Sequence, residues 1–154
     1  MDIDGFHDVL EEAAAEIPPE LMRDLNGGIV ILQQIKYHPG ALARDLYVMG
    51  EYRVQIPGLG RYIALYYGSF ERVFGASAPI KSARLRNEIR KTLIHELRHH
   101  IESLSGVKDL EYEDQRSLEH YYMSRLTGGK HDGADDVNPG AADLTSGRWR
   151  IKKP

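Results

Sequence analysis

Apolar residues recur at helical spacing from the start of the chain. Ile3, Phe6, Val9, Leu10 and Ala13 share one face, with acids at the other positions, which predicts a helix over residues 3–16. Ile17-Pro18-Pro19 stops that helix, because proline brings no amide proton and crowds the preceding turn. Pro19 also suits the first turn of a second helix, Glu20 to Leu25. Asn26-Gly27-Gly28 predicts a turn, and Ile29-Val30-Ile31-Leu32 a short strand. Residues 33–44 read as a loop broken at Pro39-Gly40, and Leu46 to Met49 as a second strand. A loop through Pro57-Gly58 and Gly60 leads to residues 61–67, the segment of highest β-propensity. Residues 68–80 are read as irregular.

The longest regular pattern runs from Ser82 to Leu104, with Leu85, Ile89, Leu93, Leu97, Ile101 and Leu104 in one stripe. Ser105-Gly106 ends it, as glycine commonly ends helices. An acidic segment, Asp109 to Asp114, leads into a last helix expected from Gln115 to Leu126. After Thr127 come glycine, aspartate, asparagine, alanine and proline, then a basic end from Arg148 to Lys153. This pattern predicts a single domain over residues 1–126 and a flexible tail over 127–154.

Composition narrows the function classes. A chain of 154 residues, 42% hydrophobic and 28% charged, can bury a core of its own. Net charge is −3, so no basic field draws the protein toward nucleic acid. Cysteine is absent, which removes thiol catalysis and thiolate zinc sites. The acidic start, Met1-Asp2-Ile3-Asp4, is unlike a secretory signal, and no apolar run reaches membrane-spanning length. The expectation is a soluble, cytoplasmic protein with neither membrane nor nucleic acid as partner.

Candidate chemistry lies in the long helix, where residues 95–99 read His-Glu-Leu-Arg-His. Histidines four apart stand about 40° apart around a helix and one turn apart along it, so both imidazoles can bind one Zn²⁺. Glu96, beside the first histidine, is placed to take a proton from water and return it to a leaving group. With Leu97 at the centre of the stripe, His95 and His99 fall about 160° and 200° away. They therefore face a cleft or solvent rather than the core. A solvated helix face is the plainer reading of the same residues.

The block from Ile89 to His100, ending His-Glu-Leu-Arg-His-His, resembles the small bacterial zincin-like metallopeptidases, the minimal zincins. The order of elements over residues 3–125 is similar to that family as well. The resemblance implies an α+β zincin fold, with N-terminal helices and a short mixed sheet packed on an active-site helix, then a small C-terminal helix. It implies zinc as cofactor, a peptide or protein substrate, and an acidic third ligand. It also implies a strand near the active-site helix that pairs with extended substrate, here residues 61–67. Where the family pattern carries a glycine and an aspartate after the second histidine, this chain has Glu102 and Ser105. The third ligand must then lie further on. Asp114, just before the expected last helix, is the first choice and Glu111 the second. Glu119 is a rival at a spacing similar to that of thermolysin-like enzymes, with Glu102 and Asp109 behind it.

Other residues are weighed against plainer roles. Tyr66 and Tyr67, at the end of the expected third strand, are candidates to bind substrate by stabilising an oxyanion, although such tyrosines are commonly half-buried sheet residues. His100 reads as a packing residue, or one that supports the ligands, and Glu102 either supports an imidazole or lies on the surface. His120, Tyr121 and Tyr122 read as a helix face on the core. Two functional readings follow. One is a zinc metallopeptidase with Glu96 as general base; the other is a non-catalytic, zinc-containing module that binds peptide or protein.

Overall fold

A computed structural model describes residues 2–56, 60–80, 82–106, 109–126 and 149–151. Helix α1, Ile3–Ala15, starts where the Asp2 carboxylate accepts the Gly5 N–H at 2.7 Å, satisfying one of the amides a helix leaves open. Its stripe of Phe6, Val9, Leu10 and Ala13 is buried as the pattern requires. The expected second helix is only a 3₁₀ turn, Pro19–Met22. Arg23 leaves it in an extended conformation and Asp24 adopts a positive φ of 64°, so no α-helix reaches Leu25.

Strands β1 (Gly28–Leu32), β2 (Leu46–Val48), β3 (Gly50–Ile56) and β4 (Gly60–Tyr66) follow. Three of them form a mixed sheet in the order β1-β4-β3. β1 lies parallel to β4, and β3 antiparallel to it. Two expectations change here. The stretch after Met49 is not a loop but the edge strand β3; Pro57-Gly58 lie outside the described residues. The segment over residues 61–67 is central, paired on both sides, and Tyr67 already opens helix α2, Tyr67–Phe74. Gly68 permits that sharp exit, since a Cβ there would meet the Gln33 carbonyl oxygen at 2.5 Å.

Helix α3, Ala83–Ser105, is capped by the Ser82 side chain on the Leu85 N–H and ends at Gly106 in the left-handed conformation. Helix α4, Asp109–Leu126, begins earlier than expected and takes the acidic segment into its first turns. Of the segment expected as a tail, Trp149–Ile151 form β5, antiparallel to β2. Residues 127–148 and 152–154 lie outside the described residues.

One face of the sheet carries the main core. Ile63 and Leu65 of β4 meet Phe6, Val9 and Leu10 of α1 and Leu85, Ile89, Leu93 and Leu97 of α3. Successive strand residues face opposite sides, so Tyr66 falls on the other face, packed with Leu46, Val48 and Tyr121 of α4. The result is an α+β, zincin-like fold with α3 laid against the sheet beside β3. Among the described residues no helix is long and apolar enough to cross a membrane.

Candidate metal centre

The apolar stripe of α3 fixes what its opposite face can do. Leu85, Ile89, Leu93 and Leu97 are held in the core, so His95 and His99 turn away from it together. They do not reach open solvent. Asp114, in the second turn of α4, comes down against them, and both histidines are 9% exposed.

His95 Nε2 stands 3.3 Å from Asp114 Oδ1, and His99 Nε2 stands 3.1 Å from Asp114 Oδ2. The three residues offer ligating atoms that all lie within 4.8 Å of one another. Four donors around a Zn²⁺ at about 2.0–2.1 Å sit about 3.3–3.4 Å apart, so the cluster is close to the size a tetrahedral ion requires. Two imidazoles and a carboxylate are also a fitting donor set for zinc, with one position left over. His95 Nε2 is buried without a hydrogen-bond partner and faces this point. The residues fit a metal ion.

Glu96 lies on the β3 side of the same helix, fully buried, with Oε2 accepting the Tyr52 N–H at 2.8 Å. Gly50 makes the approach possible. A Cβ at that position would meet Thr92 Cγ2 at 2.7 Å and Glu96 Cγ at 2.9 Å. His100 is buried as well, with Nε2 at 2.8 Å from the Arg23 carbonyl oxygen and Nδ1 at 3.2 Å from the Tyr52 hydroxyl.

The remaining candidates separate cleanly. Glu111 and Glu119 are exposed on α4, and Gln115 donates to Glu119. Glu102 pairs with Arg98 along α3. Asp114 is not a helix cap, because α4 has already begun. Tyr121 is buried and Tyr122 half-buried, but His120 is exposed rather than packed on the core. Tyr66 is buried and donates to Glu51 Oε2 at 2.6 Å, while Tyr67 opens α2 and donates to Glu71. The structure does not bring either hydroxyl into the cluster of His95, His99 and Asp114.

Beyond Tyr66 stands a compact polar group. Lys36, Arg53 and Tyr66 all donate to Glu51 Oε2. Burial alone would raise the Glu51 carboxyl, but these hydrogen bonds outweigh it and hold the pKa below the ordinary value. Burial, with Glu51 adding to it, pushes the Tyr66 hydroxyl well up. The group ties the loop after β1 to β3 and β4.

Gly50 and Tyr52 were missed by sequence reasoning, which placed them in a loop. The alternation Tyr52-x-Val54-x-Ile56 was the available signal.

A family model described as zincin-like metallopeptidase matches residues 29–118, from β1 into α4, a stretch that contains His95, Glu96, His99 and Asp114. Among solved structures the chain is similar to a conserved hypothetical protein from Thermo thermophilus. Identity is 34%, the match covers 68% of this chain and 98% of that one, and the TM-score is 0.55. No curated protein matches the chain.

Proposed function

The chain belongs to the zincin-like metallopeptidase family, and we propose that it is a zinc-dependent hydrolase of peptide bonds. One observation carries the reading. His95, His99 and Asp114 converge at zinc-ligand spacing, with Glu96 next to them on the same helix. In this reading those three residues hold the ion. Zinc, when bound, supplies a Lewis acid that acidifies water and polarises a carbonyl.

The protein's own groups do the rest. The Glu96 carboxylate takes a proton from the attacking water as its oxygen bonds to the carbonyl carbon. It returns the proton to the amide nitrogen as the C–N bond breaks. Substrate lies along β3 rather than along residues 61–67, because β4 has no open edge. Of the edge residues, Gly50 and the Tyr52 carbonyl turn main-chain groups outward to an extended peptide, the Tyr52 amide being held by Glu96. Tyr66 and Tyr67 lose their part in this mechanism, since their hydroxyls serve Glu51 and Glu71.

The burial of His95, His99 and Asp114 favours a second reading, in which zinc is held and peptide bound without turnover. Elemental analysis of the purified chain tests the metal. Near-stoichiometric zinc is expected, lost in His95→Ala and Asp114→Ala and retained in Glu111→Ala and Glu119→Ala. Cleavage of a mixed peptide library, compared with Glu96→Gln, then separates the two readings. A fall of about 10²–10⁴-fold in the variant at unchanged zinc content supports hydrolysis. Wild type that holds zinc but cleaves nothing leaves the binding module. Wild type that holds no zinc after reconstitution ends both.

A further inference from the structure

His100 follows the second candidate ligand, yet it points away from the metal cluster to two other elements. A carbonyl oxygen can only accept, so the contact with Arg23 O places the ring proton on Nε2. In the neutral ring Nδ1 then accepts from the Tyr52 hydroxyl, and the two rings meet edge to face with centroids 5.3 Å apart. His100 thus fastens the end of the first 3₁₀ turn, α3 and β3 at a single point.

The residue it grips on β3 is also the one that touches Glu96. Tyr52 gives its side chain to His100 and its main-chain N–H to Glu96 Oε2. Neighbouring strand residues cannot do this. The Met49 carbonyl accepts from Tyr66, and the β3–β4 register pairs Glu51 with Ala64 and Arg53 with Tyr62. By the alternation of an antiparallel ladder, the amides of Glu51 and Arg53 face β4, while that of Tyr52 faces outward.

We propose that His100 and Tyr52 are positioning residues for Glu96: the His100–Tyr52 contact fixes the strand edge, and the Tyr52 amide thereby fixes the carboxylate oxygen it holds. This rests on the reading of Glu96 as the base. Neither residue exchanges a proton with substrate. Their effect is to restrict where Oε2 sits, which sets the direction in which the other oxygen presents itself to water.

Amide hydrogen exchange on the zinc-treated full chain tests this without any substrate. Glu96→Ala calibrates the probe: losing a charge-assisted bond lowers protection of the Tyr52 amide about tenfold or more. Tyr52→Phe, which removes only the hydroxyl, is expected to lower protection of that same amide about threefold to tenfold, with the Glu51 and Arg53 amides unchanged. His100→Gln is expected to do the same. Tyr52 protection that stays at the wild-type level in Tyr52→Phe overturns the proposal. So does an equal fall at residues 51, 52 and 53, which would mark general loosening of β3. If His100→Gln fails to fold, Tyr52→Phe decides alone. A wild type without peptidase activity would remove the hydrolase reading but leave this measurement able to decide whether Glu96 is held in this way.

Discussion

Replacing Gly50 by alanine adds one methyl group at the point where β3 comes closest to α3. That Cβ would stand 2.7 Å from Thr92 Cγ2, 2.9 Å from Glu96 Cγ and 3.2 Å from Glu96 Oε1, against ordinary contact from 3.4 Å. Thr92 cannot yield easily. It is buried, β-branched and on a helix, and its hydroxyl donates to the Glu88 carbonyl at 2.9 Å. The strain therefore falls on Glu96 and on the β3 edge. Overpacking of this kind costs about 1–3 kcal/mol, roughly 3–10 °C in Tm for a domain of this size. A displacement of Glu96 approaching about 1 Å would reduce turnover by about 10²-fold. Zinc content should be unchanged, because the atoms nearest the added methyl group belong to Thr92 and Glu96 rather than to His95, His99 or Asp114. Thermal unfolding, elemental analysis and peptide turnover measure the three quantities. Thr92→Ser removes the nearest atom, so the double variant should recover part of the loss. A Gly50→Ala protein as stable and as active as wild type would refute the close approach.

Other substitutions probe separate parts of the molecule. Asp114→Asn keeps the shape but removes the charge, so zinc affinity measured against a chelating dye should fall more than about 10-fold, whereas Glu111→Gln should leave it unchanged. Glu51 is held below its ordinary value of 4.5, so its contribution to stability is present above that pH and is lost as pH falls through the lower folded value. The Tm gap between wild type and Glu51→Gln should accordingly be widest near neutrality and close in acid; a gap constant with pH would contradict the ion pairing. Tyr121→Phe removes a hydroxyl that accepts the Leu42 N–H at 3.0 Å and donates to Asp45 at 2.8 Å. It should cost about 1–2 kcal/mol in urea unfolding, and an unshifted midpoint would show those bonds to be idle.

Elements whose chemistry is local were legible in the sequence. α1 and α3 carry their own stripes, caps and stops, and both fall within a residue or two of the expected bounds. β3 was hidden because it is an edge strand. Its Glu51 and Arg53 fall in a stretch whose alternation alone does not show a partner, and only the arrival of Lys36 and Tyr66 from elsewhere makes them a sheet face. α2 was hidden because the aromatic run through Tyr66-Tyr67 passes from strand to helix with no breaker residue between. At the candidate site, the spacing of His95 and His99 is a property of one helix and could be read directly. The choice among the acids could not, since it depends on how α4 lies against α3. Starting α4 at Asp109 turns Asp114 inward and leaves Glu111 and Glu119 outward.

A strand edge that no other strand covers is a template on which another chain can build, and among the described residues β3 supplies one. Natural sheets guard such edges with buried charge, and here the guard is Glu96, whose carboxylate occupies the Tyr52 amide. The residue proposed as the base would therefore also serve colloidal stability. Variants that neutralise or delete it, made to trap a bound peptide, should self-associate more readily at high concentration, as light scattering would record. Adding a lysine at the exposed Val54 should restore dispersion without restoring chemistry.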